Sequence, residues 1–134
     1  MIIREYKRDD NLKLLNLFNR CFNYNFKTID MKPSGMIYVV LVDDKIVGMA
    51  TIDILNDIFK NIKYGYVNNV CIDPDYQRQG LGKKLMDKIL EYGINNDLEY
   101  IMLTSNKNKV AAHGLYKSVG YKIVDDSLFK KFIK

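Results

Sequence analysis

Residues 70–85 read VCIDPDYQRQGLGKKL, which places an apolar segment, a glycine-bearing turn and a second apolar pattern in one short run. The first three residues have the composition of a buried strand. Asp73 and Pro74 end that strand, because proline has no amide hydrogen to donate to a sheet and its φ angle is fixed. From Leu81 onward, apolar residues recur with the spacing of an amphipathic helix. The stretch therefore predicts a strand, a turn and a helix in direct succession.

The turn has the composition of an anion site. Gly80 and Gly82 lack the Cβ atoms that would keep an anion away from the backbone. A helix starting here would direct unpaired amide groups and the positive end of its dipole into the turn. Arg78 and Lys83 add positive side chains on either side. A plain strand-to-helix turn would carry the same two glycines, and a pyrophosphate cradle is the functional alternative.

Two common nucleotide motifs do not fit this turn. The P-loop requires a glycine five residues before its Gly-Lys pair and a serine or threonine after it, whereas this chain has Gln77 and Lys84 there. The dinucleotide fingerprint requires three glycines near the start of a βαβ unit, and two are present here. The turn therefore belongs to neither class.

Hydrophobic periodicity predicts strands and helices along the whole chain. In order, they are a strand at 2–6, a helix with Leu12, Leu15, Phe18 and Phe22 on its apolar side, strands at 36–42, 46–54 and 64–72, a helix with Leu81, Leu85, Ile89 and Leu90 on its apolar side, a strand at 100–103, a helix at 107–119, and a final hairpin of strands at 121–124 and 128–133. This order predicts an α/β fold, a central mixed β-sheet flanked by helices, in a single domain spanning residues 1–134.

Local signals mark some element boundaries. Asp9, Asp10 and Asn11 are candidate N-caps for the first helix, and Gly120 is a candidate left-handed C-cap for the last. Residues 26–35 are ambiguous, with candidate caps at Thr28 and Asp30 and a breaker formed by Pro33, Ser34 and Gly35.

Composition predicts an ordinary globular protein of the cytoplasm. No secretory signal is expected at the N-terminus, and no stretch approaches the ~18 apolar residues of a membrane span. Cys21 and Cys71 fall in helical and strand patterns as small core residues, although the sequence leaves a disulfide open. The net charge is +5, from 21 Lys and Arg against 16 Asp and Glu. These charges are dispersed, so they do not select a partner.

Two segments resemble the motifs of the GNAT superfamily of N-acetyltransferases. The core Gln77-Arg78-Gln79-Gly80-Leu81-Gly82 is similar to the family's acetyl-CoA motif of Gln or Arg, two variable residues, Gly, one variable residue and Gly or Ala. Residues 104–121 resemble the second signature, which ends in Tyr-x-x-x-Gly-aromatic, here Tyr116, Gly120 and Tyr121. Residues 1–63 match in element order only. The resemblance implies a GNAT-like acyl-CoA N-acyltransferase fold and acetyl transfer from acetyl-CoA to a primary amine.

The resemblance also implies which residues bind the cofactor. In the family, pantetheine pairs with the end of the strand before the glycine turn, and the pyrophosphate sits on the amides of the turn. Carried over to this chain, the cofactor-binding residues are Val70, Cys71, Ile72, Arg78, Gln79, Gly80, Leu81, Gly82 and Lys83, with Asn106 either contacting pantetheine or capping the following helix.

Tyr116 matches the position at which the family often places its general acid. A phenol beside the thioester sulfur can protonate the departing CoA thiolate, and such transfers contribute ~10²–10⁴-fold to a rate. The alternative is a core tyrosine that packs beneath Gly120 and Tyr121.

No general base is assigned. Many relatives carry a glutamate where this chain has Asn68, Asn69 or Thr104. Asp53 is a possible substitute for that glutamate as the base, but its position fits a solvated strand-end residue better. A chain of waters that leads past Tyr64, Tyr66 or Asn68 to bulk solvent is an equally open route for the proton. Lys109 replaces the Asn or Arg of many relatives. His113, without metal-binding companions, is interpreted as structural.

Two functions of another class stay open. The missing carboxylates favour a CoA-binding sensor or interaction module without catalysis. The positive charge alone favours nucleic-acid binding, which the dispersed Lys and Arg residues argue against. The acceptor amine, a small molecule or a protein amine, and the choice between monomer and homodimer do not follow from the sequence.

Overall fold

The computed structural model describes residues 1–31 and 34–134. In these residues the chain forms five strands and three α-helices. They are β1 (Ile2–Glu5), α1 (Asn11–Phe22), β2 (Met36–Val42), β3 (Lys45–Asp57), β4 (Ile62–Ile72), α2 (Leu81–Asn95), β5 (Ile101–Leu103) and α3 (Val110–Ser118), with short 3₁₀ turns at Arg8–Asp10 and Pro74–Tyr76. The predicted α/β class is confirmed.

The sheet follows chain order, β1-β2-β3-β4-β5. Its first four strands pair antiparallel, and β4 pairs with β5 in parallel. The predicted hairpin of β2 and β3 is confirmed. Its turn residues Asp43 and Asp44 both have positive φ angles, 50° and 63°, as a two-residue hairpin turn requires. The sheet is therefore mixed because a helix, α2, separates its last two strands.

Two apolar cores lie on opposite faces of the sheet. On one face, α2 packs against β2, β3 and β4, and its buried residues include Leu81, Leu85, Met86 and Ile89. On the other face, α1 contributes Leu14 and Leu17 to a second cluster that contains Cys71. The predicted apolar side of α2 is partly corrected, because Leu90 is 50% exposed while Met86 is buried. One residue along a helix rotates a side chain by about 100°, which carries position 90 away from the sheet.

The ambiguous segment forms no helix in the part that the structure describes. α1 ends at Asn23, whose φ of 57° is left-handed, and residues 24–31 are irregular. Neither Thr28 nor Asp30 therefore caps a helix. The predicted breaker begins at Pro33, which lies outside the described residues.

The predicted C-terminal hairpin is wrong. Gly120, with φ of 98°, ends α3 as predicted, and the Tyr121 amide bonds to the carbonyl of Tyr116 at 2.9 Å. The structure describes all of residues 122–134 and assigns none of them to a strand. An apolar run forms a strand only where a neighbouring strand offers backbone groups to pair with. Among the described residues, no strand pairs with the segment 121–133.

Candidate active site

A gap in the sheet opens beside the second half of β4. β4 and β5 pair only between Gly65–Val67 and Ile101–Leu103, although β4 continues to Ile72. Beyond Val67, no strand among the described residues lies on that side of β4. The β3–β4 register also shifts between Met49 and Thr51, and Asn69 opposite has a φ of 56°. Such a bulge bends a strand away from its neighbour, so residues 68–72 border an open slot.

The predicted pantetheine-binding residues lie on both faces of the sheet. Val70 and Ile72 are half-buried and pack on the α2 face, in the same cluster as Leu115 and Tyr116 of α3. Cys71 is buried on the α1 face. The end of β4 and the middle of α3 therefore lie together, as the assigned cofactor and acid residues require.

Asp73 anchors the turn that follows β4, and sequence reasoning gave it no role beyond ending the strand. Its carboxylate is buried and accepts hydrogen bonds from the Asp75 amide and from Arg20, both at 2.9 Å. Its own amide bonds to the Val47 carbonyl at 2.7 Å. An aspartate before Pro74 is a recognisable cap signal for the short 3₁₀ turn. Its partner Arg20, on α1, gave no such signal.

The turn leads to an uncapped helix start. Gly80 is the N-cap of α2 and no side chain among the described residues caps this end, so the first amide groups of α2 have neither intrahelical nor side-chain acceptors there. Residues 77–80 are exposed, and Arg78 has a φ of 63°. The side chain of Gln77 bonds back to the Ile72 carbonyl at 3.1 Å. Free amides, the helix dipole and two exposed cations, Arg78 and Lys83, make this end suitable for a phosphate group.

The two positions of the turn require glycine for different structural reasons. Gly80 has a φ of 78°, and a Cβ built there meets nothing within 4 Å. Glycine is therefore needed at this position for its backbone conformation. A Cβ at Gly82 would lie 3.0 Å from Cδ2 of Leu115. The absent side chain of Gly82 thus lets α3 approach α2, a packing role that the sequence pattern did not distinguish from anion access.

Tyr116 lies half-buried on α3, beside the end of β4. Burial raises the pKa of its phenol above the ordinary value of a tyrosine. Its ring lies 6.1 Å from that of Tyr121, whose pKa rises to about 12 through burial and then through Tyr116. The phenol of Tyr116 forms no hydrogen bond with the part of the chain that the structure describes. It is therefore protonated at neutral pH and available to a ligand.

The two cysteines lie on the α1 face, in the same apolar cluster. Both are free thiols, which agrees with the prediction of small core residues. The neighbouring Cys71 thiol lowers the pKa of Cys21, while the same contact, together with burial, raises the pKa of Cys71. Cys71 is therefore a neutral thiol beneath the gap.

Polar groups cluster on β3, β4 and the end of β5. The hydroxyls of Tyr66 and Thr104 hydrogen-bond at 3.0 Å, and the Thr51 hydroxyl bonds to the Asn68 carbonyl at 3.0 Å. Asp53, the one carboxylate considered as a base, accepts a hydrogen bond from Ser34 and pairs across the strands with Tyr66. Its environment is a hydrogen-bonded strand position, and no base is assigned.

The remaining predicted residues have local roles. The side chain of Asn106 accepts a hydrogen bond from the Asn108 amide at 2.9 Å, which forms a turn before α3, whose own N-cap is Lys109. The ammonium of Lys109 lies 5.3 Å from the ring centre of Phe22. Among the described residues no group of His, Cys, Asp and Glu could hold a metal ion, so His113 has no metal-binding partners there.

The sequence patterns did not predict an aromatic group at the end of α1. Phe18 lies 4.9 Å from Phe22, 5.4 Å from Tyr24 and 6.1 Å from Phe26, measured between ring centres. Two hydrogen bonds between Asn19 and the backbone of Phe26 hold the segment back on the helix. The spacing of positions 18 and 22 by one helical turn was the available signal. Lys109 brings the start of α3 to this group.

Comparison with known proteins identifies the relatives of this arrangement. A model of the acetyltransferase (GNAT) family matches residues 3–121. Over 93 residues the chain is 29% identical to the N-acetylaspartate synthetase of Xenopus tropicalis, covering 69% of this chain and 33% of that protein. Over 53 residues it is 36% identical to a ribosomal-protein alanine N-acetyltransferase of Escherichia coli, covering 40% of this chain and 36% of that one. The chain thus spans about a third of the length of these curated relatives.

Solved structures agree in fold. An aminoglycoside acetyltransferase from an uncultured soil metagenomic sample superposes with a TM-score of 0.86 at 22% identity, covering 99% of this chain and 95% of that one. A glucosamine-6-phosphate N-acetyltransferase of Arabidopsis thaliana superposes with a TM-score of 0.82 at 17% identity, covering 98% and 97%. At these identities the likeness concerns the fold. In the described residues, moreover, no helix has the length and apolar character needed to cross a bilayer.

Proposed function

Because this chain belongs to the acetyltransferase (GNAT) family, we propose that it transfers an acetyl group from acetyl-CoA to a primary amine, by direct attack within a ternary complex. The observation that carries the proposal is the open slot beside β4, which leads at one end to the uncapped start of α2 and is bordered by Tyr116 of α3. A slot, an anion-binding helix end and a protonated phenol are the parts that this reaction needs.

The residues present fit a CoA ligand. The unpaired backbone of Val70, Cys71 and Ile72 would hold an extended, amide-bearing chain as a neighbouring strand would. The free amides at the start of α2 would hold its diphosphate, with the cationic side chains of Arg78 and Lys83 close by. Gln79, Gly80, Leu81 and Gly82 complete that turn. Asn106 is assigned a weaker role, because its side chain is engaged in the local turn.

Tyr116 supplies the proton. Bound acetyl-CoA offers a thioester, and its cleavage by an amine leaves a sulfur that must be protonated. The raised pKa of Tyr116 keeps its phenol in the donor form near neutral pH. The incoming amine is charged in water and must lose a proton before it attacks. Solvent that reaches the polar groups of Tyr66, Thr104 and Asn68 takes up this proton.

The acceptor is defined only as an amine. The names of the relatives refer to N-acetylaspartate, a ribosomal-protein alanine and aminoglycosides. Their common feature is an amino group, and that feature alone is carried over to this chain.

Calorimetric titration with acetyl-CoA and with desulfo-CoA tests the cofactor site. We expect micromolar affinity for both, because the contacts proposed are to the diphosphate and the pantetheine chain. Absence of binding for both would reduce the glycine turn to an ordinary helix start and remove the basis of the proposal.

Substitution of Tyr116 tests the catalytic role. In Tyr116→Phe we expect kcat to fall ~10²–10⁴-fold, with the affinity for acetyl-CoA unchanged, as measured by release of the CoA thiol across an amine panel. In the parent protein the high-pH fall of the rate should follow the raised pKa of Tyr116, and this limb should vanish in the variant. Tyr100→Phe is the control, since Tyr100 stacks on Tyr64 at the far end of the β4–β5 pairing. An unchanged rate in Tyr116→Phe would refute the acid role.

A second candidate is a CoA-binding module without catalysis. It is favoured by the neutral residues Asn68, Asn69 and Thr104 beside the slot and by the engagement of Asp53 with Ser34. Binding of acetyl-CoA without turnover of any amine in the panel would support this candidate over the enzyme.

A further inference from the structure

The two cysteines of the chain are neighbours across the contact between α1 and the end of β4. Cys71 is buried in the apolar cluster on the α1 face of the sheet, and Cys21 of α1 packs against that cluster. Both are free thiols. Neither takes part in the acid chemistry assigned to Tyr116, so the pair is a set of nucleophilic groups without a role in the proposed reaction.

The contacts around the pair show the same closeness. Arg20 precedes Cys21 on α1, and its guanidinium bonds the carboxylate of Asp73 at 2.9 Å. Asp73 follows Cys71 by two positions, and residues two apart in an extended chain point to the same side. Leu17, about one helical turn before Cys21, lies in the same cluster as Cys71. The last turns of α1 therefore cover residues 71–73.

The two thiols differ in access and in charge. Cys21 is partly exposed, whereas Cys71 is 8% exposed. The Cys71 thiol first, and the Arg20 guanidinium to a smaller extent, lower the pKa of Cys21. The thiolate is the reactive form of a cysteine, and an exposed cysteine with a lowered pKa is the one that oxidants attack. Cys21 is therefore placed to react first, with Cys71 behind it as a second thiol.

We propose that Cys21 and Cys71 form a reversible disulfide when hydrogen peroxide oxidises Cys21, and that this bond weakens the cofactor site. The Cys21 thiolate attacks one peroxide oxygen, the O–O bond breaks, and Cys21 sulfenic acid and hydroxide are formed. The Cys71 sulfur then attacks the sulfenic sulfur, and the S–O bond breaks while the Cys71 proton and the hydroxyl leave as water. Together the two thiols lose two electrons and two protons, and the peroxide is reduced to two waters.

The buried thiol gains reactivity only after the first step. The Cys21 side chain is the first cause of the raised pKa of Cys71, ahead of burial. Conversion of Cys21 from a thiolate to an uncharged sulfenic acid removes the repulsion between the two sulfurs, so Cys71 loses its proton more easily at that point. Burial also shields Cys71 from peroxide itself. The order of reaction therefore leads to a disulfide, and an added dithiol reverses it by exchange.

Both ends of the new bond are attached to the proposed cofactor site. Cys71 lies in the part of β4 that borders the slot, and Arg20, next to Cys21, holds the Asp73 carboxylate that anchors the glycine turn. A disulfide brings its sulfurs to about 2.05 Å, closer than two unbonded thiols lie, so α1 or the end of β4 must move. A close-packed interior transmits such a shift. This second effect rests on the proposed binding of acetyl-CoA, whereas formation of the disulfide does not.

Mass spectrometry and thiol titration test the disulfide. After treatment of the reduced protein with hydrogen peroxide, we expect a chain lighter by two hydrogen atoms, no titratable thiol after denaturation, and a proteolytic fragment pair that joins Cys21 to Cys71. Cys21→Ser should keep its remaining thiol, because Cys71 is buried. Cys71→Ala should accumulate sulfenic acid at Cys21, which dimedone traps. Two free thiols in the treated parent protein, or a disulfide that joins two chains, would overturn the proposal.

Calorimetric titration with acetyl-CoA tests the effect on the site. We expect the affinity of the parent protein to fall after peroxide treatment and to return after reduction with dithiothreitol. Cys21→Ser is the matched control, and its affinity should not change on treatment. Equal affinity of the reduced and disulfide-bonded parent protein would refute the effect on the site. A reduced parent protein that binds no acetyl-CoA would refute the proposed function and this effect together, and the disulfide would still be decided by its mass.

Discussion

Asp10 and Asp73 are buried carboxylates, and each is held by an arginine from another element. Arg4 of β1 forms two hydrogen bonds with Asp10, at 2.8 and 3.0 Å, and the Lys7 amide adds a third at 2.8 Å. Arg20 of α1 bonds Asp73 and also reaches Asp75. At this scale the neighbours of a residue decide its role, because a buried charge is tolerated only when it is paired and hydrogen-bonded. Asp10 secures the start of α1, and Asp73 secures the glycine turn.

The Asp10 contact predicts how stability depends on acid. The hydrogen bond from Arg4, more than any other contact, holds the pKa of Asp10 below its ordinary value. A carboxyl with a lowered folded-state pKa stabilises the fold above its unfolded pKa of about 3.9 and loses that contribution as pH falls through the folded pKa. In Asp10→Asn we expect unfolding free energy at pH 7 to fall by about 1–3 kcal/mol and to depend less on pH below 4. Denaturant titrations at several pH values measure both, with the exposed Asp9→Asn as a control that should resemble the parent protein.

The glycine turn predicts different outcomes for its two glycines. Gly80→Ala should cost about 1–2 kcal/mol of unfolding free energy, because the positive φ of 78° is unfavourable for any residue with a Cβ. Gly82→Ala gains helix propensity of about 1 kcal/mol and crowds the flexible end of Leu115, so the two effects should largely cancel. Denaturant unfolding of both variants makes the comparison. Equal stability of Gly80→Ala and the parent protein would show that the turn relaxes freely.

At the scale of elements, α2 joins the sheet core to the glycine turn. Its buried side packs on three strands while its N-terminus remains open to solvent. α3 is held more lightly, with no fully buried residue, and depends on Gly82 for its approach to α2. Because a short helix gains most of its stability from packing, the position of Tyr116 depends on this contact between the two helices.

A matched pair of leucines on α2 tests that packing. Leu85→Ala should lower the unfolding free energy by about 2–5 kcal/mol, because Leu85 is fully buried and its truncation leaves a cavity. Leu90→Ala, on the same helix and 50% exposed, should cost about 1 kcal/mol. Chemical denaturation of the two variants measures the difference. Comparable losses of unfolding free energy in the two variants would mean that the Leu90 side chain is covered in solution.

At the scale of the whole molecule, the described chain carries a closed core and an open edge. The sheet and its two apolar clusters bury α1 and α2 on opposite faces, whereas the outer edge of β5 pairs with no strand among the described residues and six large apolar side chains within residues 122–134 are exposed.

The sequence by itself determined most of the elements and the family. The apolar, β-branched runs of β2, β3 and β4, the stop at Asp73 and Pro74, and the end of α3 at Gly120 follow from local conformational rules. Those rules act within a few residues, so a single sequence displays them. The family resemblance likewise rested on short contiguous motifs. The family-model match over residues 3–121 confirms that resemblance.

The tertiary structure alone decided what depends on distant residues. Arg20 meets Asp73 across 53 positions of sequence, and Cys21 meets Cys71 across a helix–sheet contact. The slot beside β4 exists because β5 stops pairing at Val67, which no local pattern reveals. Residues 122–134 have the apolar runs and the polar turn of a hairpin yet form none, since a strand requires a neighbour with free backbone groups and the described residues bring none to them.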